Sequence, residues 1–161
     1  MVREKYLFAC RIVVRVAGRV YSLVLPGEVL GGILQHAREV YPEEACGVLL
    51  GVVERGRGVV LRAVPLRNVL RSRESFWFEE REWMEVVLRG RGEGLEYIGL
   101  YHTHPGKSPV PSLSDRHRML ECPGEVWLIV GLEPGGGVSL AAYRVGDDGY
   151  SLLCIPVEEA P

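Results

Sequence analysis

The sequence predicts an α+β fold, and three observations predict it. Segments rich in Val, Leu, Ile and Tyr clearly outnumber the stretches with helical spacing. The two kinds do not follow one another as regular strand–helix units, which disfavours a parallel α/β architecture. The 161 residues contain no internal repeat and no linker-like stretch, so residues 1–161 read as one domain. A chain of that length buries about two-thirds of its unfolded surface.

Taken in order, residues 6–16 and 19–25 flank Ala17-Gly18 and read as an N-terminal hairpin within residues 1–25. Pro26 suits a helix start; Val29, Leu30, Ile33, Leu34, Ala37 and Val40 recur at helical spacing, and Pro42 stops the run. Residues 48–53 and 59–64 read as strands joined by a Glu-Arg-Gly-Arg-Gly turn. Residues 65–75 read as a polar loop, and 76–78 as a short aromatic strand. Residues 79–88 read as a helix turned inward through Trp83, Val86 and Val87, its first acidic residues suiting the helix dipole. A Gly/Arg connector leads to a strand over 95–104. A helix over 112–121 follows and is broken by Pro123-Gly124. Residues 126–132, 138–145 and 150–157 complete the strands, and 158–161 read as a frayed tail.

Composition narrows the class. The chain is 47% hydrophobic and 25% charged, ordinary for a globular enzyme or binding domain. A net charge of −2 gives no general attraction to nucleic acid. No segment reaches the apolar length of a membrane span, and Arg11 and Arg15 interrupt the N-terminal apolar run, which reads as a strand and not as a signal sequence. A cytoplasmic protein is expected. Lysine occurs only as Lys5 and Lys107, a bias toward arginine that fits a GC-rich genome or a hot habitat equally. Cys10, Cys46, Cys122 and Cys154 are widely spaced with no CxxC pair, so buried reduced thiols are expected rather than a zinc finger or a disulfide framework.

The chemistry concentrates in YIGLYHTHPGKSPVPSLSD, residues 97–115. On a strand His102 and His104 share a face while Tyr101 and Thr103 take the other. On the first turn of a helix Ser112 and Asp115 share a face. Two imidazoles from a strand and one carboxylate from a helix start match a three-ligand zinc site with an open fourth position. Ser112 and Asp115 also match a capping box, with the serine as N-cap and the acid at N3, and need no metal for that role. Glu44 stands before Ala45, Cys46 and Gly47 at the mouth of an apolar strand, where a carboxylate has less access to water. Near a metal site it can act as general base and then acid. His36 and His117 read as surface histidines, and Cys46 as a buried small residue.

PEEACGVLLG, followed far downstream by HTHPGKSPVPSLSD, resembles the JAMM (MPN+) zinc metalloprotease family, in particular its small prokaryotic members. The matching positions are Glu44, His102, His104, Ser112 and Asp115. Asn68 and Phe76–Phe78 extend the resemblance, which covers residues 26–145. It implies a cytidine-deaminase-like fold, a curved and mostly antiparallel sheet flanked by about three helices. It implies Zn²⁺ on His102, His104 and Asp115, Glu44 as general base, and Ser112 as donor to the oxyanion. It also implies hydrolysis of the amide bond after the C-terminal Gly-Gly of a ubiquitin-like protein, with residues 65–78 as a candidate edge for the tail. Release of an amino acid such as cysteine from a ubiquitin-like sulfur-carrier protein is the alternative. A non-enzymatic MPN module and a DNA-repair-associated relative stand behind it. The partner expected is a carrier protein or its conjugate, not nucleic acid or membrane, and homodimerisation is left open.

Overall fold

The computed structural model describes residues 19–161. The first strand and the turn of the expected N-terminal hairpin lie outside those residues. The described elements are β1 (Ser22–Pro26), α1 (Gly27–Val40), β2 (Cys46–Glu54), β3 (Arg57–Leu66), α2 (Glu80–Gly92) and β4 (Glu96–Pro105). They continue with α3 (Leu113–Glu121), β5 (Val126–Leu132), β6 (Val138–Val145), β7 (Leu152–Ile155) and β8 (Val157–Ala160). The fold is α+β: among the described residues three helices pack on one eight-stranded sheet of order β7-β6-β5-β4-β2-β3-β1-β8.

The sheet is mixed. The pairs β2–β3, β2–β4, β5–β6 and β6–β7 are antiparallel, whereas β1–β3, β1–β8 and β4–β5 are parallel. β7 and β8 stand at opposite ends of the strand order, yet only Pro156 separates them in the chain. The sheet therefore curls until its two ends are joined by one residue. Residues 158–161 are not a frayed tail: Glu158, Glu159 and Ala160 lie in register with Val24, Leu25 and Pro26. Among the described residues no helix is long and apolar enough to cross a membrane.

Alternation along the strands splits the core in two. Val48, Leu50 and Leu100 pack with Trp83 and Val87 of α2 and Met119 of α3. Leu49, Ile98 and Tyr101 pack with Ile33 of α1. Each cluster buries large apolar side chains, worth about 1.5–3 kcal/mol apiece. Because successive side chains on β4 face opposite ways, this split sends His102 and His104 to the side of α2 and α3.

Three local expectations need correction. Residues 76–78 form no strand, because the carbonyl of Phe76 accepts from the Arg118 guanidinium and the amide of Trp77 donates to Asn68 Oδ1 at 3.3 Å, so the segment has no ladder to join. Helix α2 does not stop at residue 88 but continues to Gly92; Gly90 lets it lie close on β2, since a Cβ there would come within 2.8 Å of Leu50 Cδ1. The thiols are not uniformly buried and reduced: Cys46 is free and buried, Cys154 is free and exposed, and Cys122 is disulfide-bonded.

Candidate metal centre

Each part of the site is placed by a different element. Strand β4 is central in the sheet, paired with β2 on one side and β5 on the other, and it carries fully buried His102 and nearly buried His104 on one face. Ser112 is the N-cap of α3. Its side-chain oxygen accepts the Asp115 N–H at 3.0 Å, and Asp115 Oδ2 accepts the Ser112 N–H at 2.9 Å, completing the capping box. The capping-box reading of Ser112-x-x-Asp115 is met, and the oxygen held by the cap is also the one that faces the histidines. His102 Nε2 and His104 Nε2 lie 3.1 Å apart, and Asp115 Oδ2 lies 3.3 Å from the first and 3.2 Å from the second.

This triangle has the size and the chemistry of a metal site. Donors about 2.0–2.1 Å from a tetrahedral ion lie about 3.3–3.4 Å from one another. His104 Nδ1 lies 3.0 Å from the Ser108 carbonyl, which can only accept, so in the neutral ring Nδ1 carries the proton and Nε2 presents a lone pair. With the ring neutral, that lone pair would confront the oxygen of Asp115, so the contact calls for a positive charge between them, either a proton on Nε2 or a metal cation. Burial pushes Asp115 up, but hydrogen bonds from His102 and His104 outweigh it and hold the carboxyl well below the usual range. Burial likewise works against a charged His104, but Asp115, the Ser108 carbonyl and Glu44 outweigh it and raise its pKa. Burial lowers His102.

Glu44 reaches the same point from α1 and β2. Thr103, on the opposite face of β4, brackets the next residue: Ala45 N–H donates to Thr103 Oγ1 at 2.8 Å and Thr103 N–H to the Ala45 carbonyl at 3.0 Å. Gly47 admits the Tyr101 ring, which a Cβ would meet at 2.2 Å, so β2 lies flat against β4. Ligand atoms of Glu44, His102 and His104 accordingly fall within 4.8 Å of one another. The carboxylate is 3% exposed, its Oε1 has no hydrogen-bond partner among the described residues, and burial raises its pKa to about 8.

The remaining candidates divide. Phe76 stacks on the His102 ring at 4.5 Å and Trp127 meets it edge-on at 5.5 Å, so the imidazole is caged by aromatic rings. His117 is exposed, as expected, but His36 is half-buried, with Nδ1 2.8 Å from the Tyr101 hydroxyl. Burial pushes the Cys46 thiol up, which leaves it inert. Sequence reasoning gave Thr103 no role, and period-two alternation could only place it away from the histidines.

The model of the family described as prokaryotic homologs of the JAB domain matches residues 26–143. The chain belongs to this family. It is a JAMM-type metallopeptidase, from a family of isopeptidases that cleave ubiquitin-like proteins. Among curated relatives, the desampylase of Haloferax volcanii is 33% identical, over 84% of this chain and 96% of that protein. The CysO-cysteine peptidase of Mycobacterium tuberculosis is 28% identical, over 81% of this chain and 87% of that protein. Among JAB-like structures, a Desulfitobacterium hafniense protein solved in solution superposes with a TM-score of 0.74 at 29% identity, covering 85% of this chain and 92% of its own.

Proposed function

We propose that this JAB-family chain is a single-domain, zinc-dependent isopeptidase or peptidase that cuts the amide bond after the C-terminal Gly-Gly of a ubiquitin-like protein. The observation that carries this reading is the buried donor triangle of His102, His104 and Asp115 with Glu44 beside it. His102 and His104 would hold the ion through Nε2 and Asp115 through Oδ2. Bound there, zinc would supply Lewis acidity, the property that lowers the pKa of water and polarises carbonyls. Glu44 takes the proton of the attacking water and passes it to the departing amine. Ser112 Oγ already accepts from the Asp115 amide, so its own hydrogen is available to the oxyanion.

The tail has a path along the sheet. β1 pairs with β3 only from Arg57 to Val59, so beyond Val59 no described strand lies on that edge of β3. A cleft of about 620 Å³ lies between α1 and the end of β3, lined in part by Pro65, Arg67, Asn68, Arg71 and Glu44. An extended chain end entering it would add to the sheet by backbone pairing and deliver its scissile bond at Glu44.

The test is metal analysis of the purified protein, then incubation with two substrates, with and without a chelator. One is a ubiquitin-like domain fused through Gly-Gly to a second protein; the other carries a single amino acid after Gly-Gly. The expected result is about one zinc per chain and cleavage after Gly-Gly that a chelator stops and zinc restores. Chelator-resistant cleavage, or none of either substrate, overturns the reading. The resemblance to a CysO-cysteine peptidase favours a second reading, release of an amino acid, and exclusive turnover of the second substrate would select it.

A further inference from the structure

Glu44 is held by its backbone, and one of the two hydrogen bonds that hold it comes from a side chain. Asn68, just beyond β3 and 7% exposed, donates from Nδ2 to the Glu44 carbonyl at 3.0 Å and to the Ser75 carbonyl at 3.1 Å, with a longer contact to the Ser72 carbonyl at 3.4 Å. Its Oδ1 accepts the amides of Leu70 at 3.1 Å and Trp77 at 3.3 Å. The Glu44 amide in turn donates to the Ser72 carbonyl at 2.8 Å. Both polar groups of the Glu44 backbone are thus bound by residues 68–72. The carboxylate has no comparable anchor, since its buried Oε1 has no partner among the described residues. Where the backbone goes, the carboxylate follows.

The far end of the same loop has further attachments that do not involve Asn68. Arg118 of α3 donates to the Phe76 carbonyl and lies 4.5 Å from the Trp77 ring centroid, while Phe76 stacks on His102. Weakening the Asn68 end therefore leaves the loop attached at the metal-ligand end.

We infer that Asn68 is a positioning residue for the catalytic base, setting the reach of the Glu44 carboxylate through its donor to the Glu44 carbonyl. This rests on Glu44 being the base. A displacement of about 1 Å in such a group costs on the order of 10²-fold in rate, without a matching loss of substrate binding.

The test compares Asn68→Ala and Asn68→Asp with Glu44→Gln, measuring bound zinc, KM and kcat on a ubiquitin-like fusion. Asn68→Asp keeps an acceptor for the Leu70 and Trp77 amides but has no donor for the Glu44, Ser72 and Ser75 carbonyls. It decides the matter where Asn68→Ala does not fold. Expected are wild-type zinc and a kcat lower by about tenfold or more, a larger change than any in KM, although Asn68 also lines the tail cleft. An unchanged kcat, or a loss confined to zinc content or KM, overturns the inference and leaves Asn68 as a loop-building residue. Turnover retained by Glu44→Gln would instead sink the base itself, whereas an inactive Glu44→Gln beside a fully active Asn68→Asp sinks only the role given to Asn68.

Discussion

The two faces of β4 differ in what their polar groups lack. On the α1 face Thr103 and Tyr101 are satisfied: Thr103 exchanges two hydrogen bonds with Ala45, and the Tyr101 hydroxyl meets His36 Nδ1. On the α3 face His102 and His104 converge on a carboxylate oxygen at 3.2–3.3 Å, and the carboxylate of Glu44 ends in an unpartnered oxygen. Buried polar groups are normally paired, so the paired face is architecture and the under-paired face is where a ligand belongs. One strand does both jobs because side chains alternate. The alignment of β2, and so of Glu44, is fixed from the back of the same strand whose front holds the histidines.

Substitutions on each face should separate these jobs. The largest effect is expected from Glu44→Gln, which should keep about one zinc per chain yet lower turnover by about 10²–10⁴-fold. A variant that loses its metal would make Glu44 a ligand and blur the division. Ser112→Ala should lower kcat by up to about 10²–10³-fold with little change in KM, and an equally active variant would reduce Ser112 to a helix cap. On the opposite face, Thr103→Val leaves the buried Ala45 amide without its partner and should cost about 1–3 kcal/mol in a denaturant titration. Unchanged stability would mean that the back of β4 is not what aligns Glu44. Tyr101→Phe should be mildest, about 0.5–1.5 kcal/mol with wild-type turnover, and a large loss of activity there would break the separation of faces.

Much of the front face was legible because its rules are local. His-x-His on a strand and Ser-x-x-Asp at a helix start carry their geometry in their spacing, and β4 and α3 place them accordingly. Glu44 was legible as a carboxylate beside small residues, but its distance to the histidines depends on Thr103 and Gly47, which act across strands. The aromatic segment at 76–78 reads as a strand only while its backbone partners are unknown; they turn out to be Asn68 and Arg118, far off in sequence. α2 runs past the expected end because glycine, which usually weakens a helix, here lets Gly90 sit close to Leu50, so its small size is an asset. The parallel pairing of β8 with β1 leaves no local mark at all, which is why paired residues read as a loose tail.

The shared oxygen of Asp115 ties two events that proteins usually keep apart. It caps the first turn of α3 and completes the donor triangle, so an ensemble in which that turn frays is also one in which the third donor is lost. Site assembly thereby inherits the cooperativity of a helix terminus. Conversely, a cation seated between the two histidines and Asp115 would act on the fold as a ligand does, shifting the population toward molecules in which α3 has begun at Ser112.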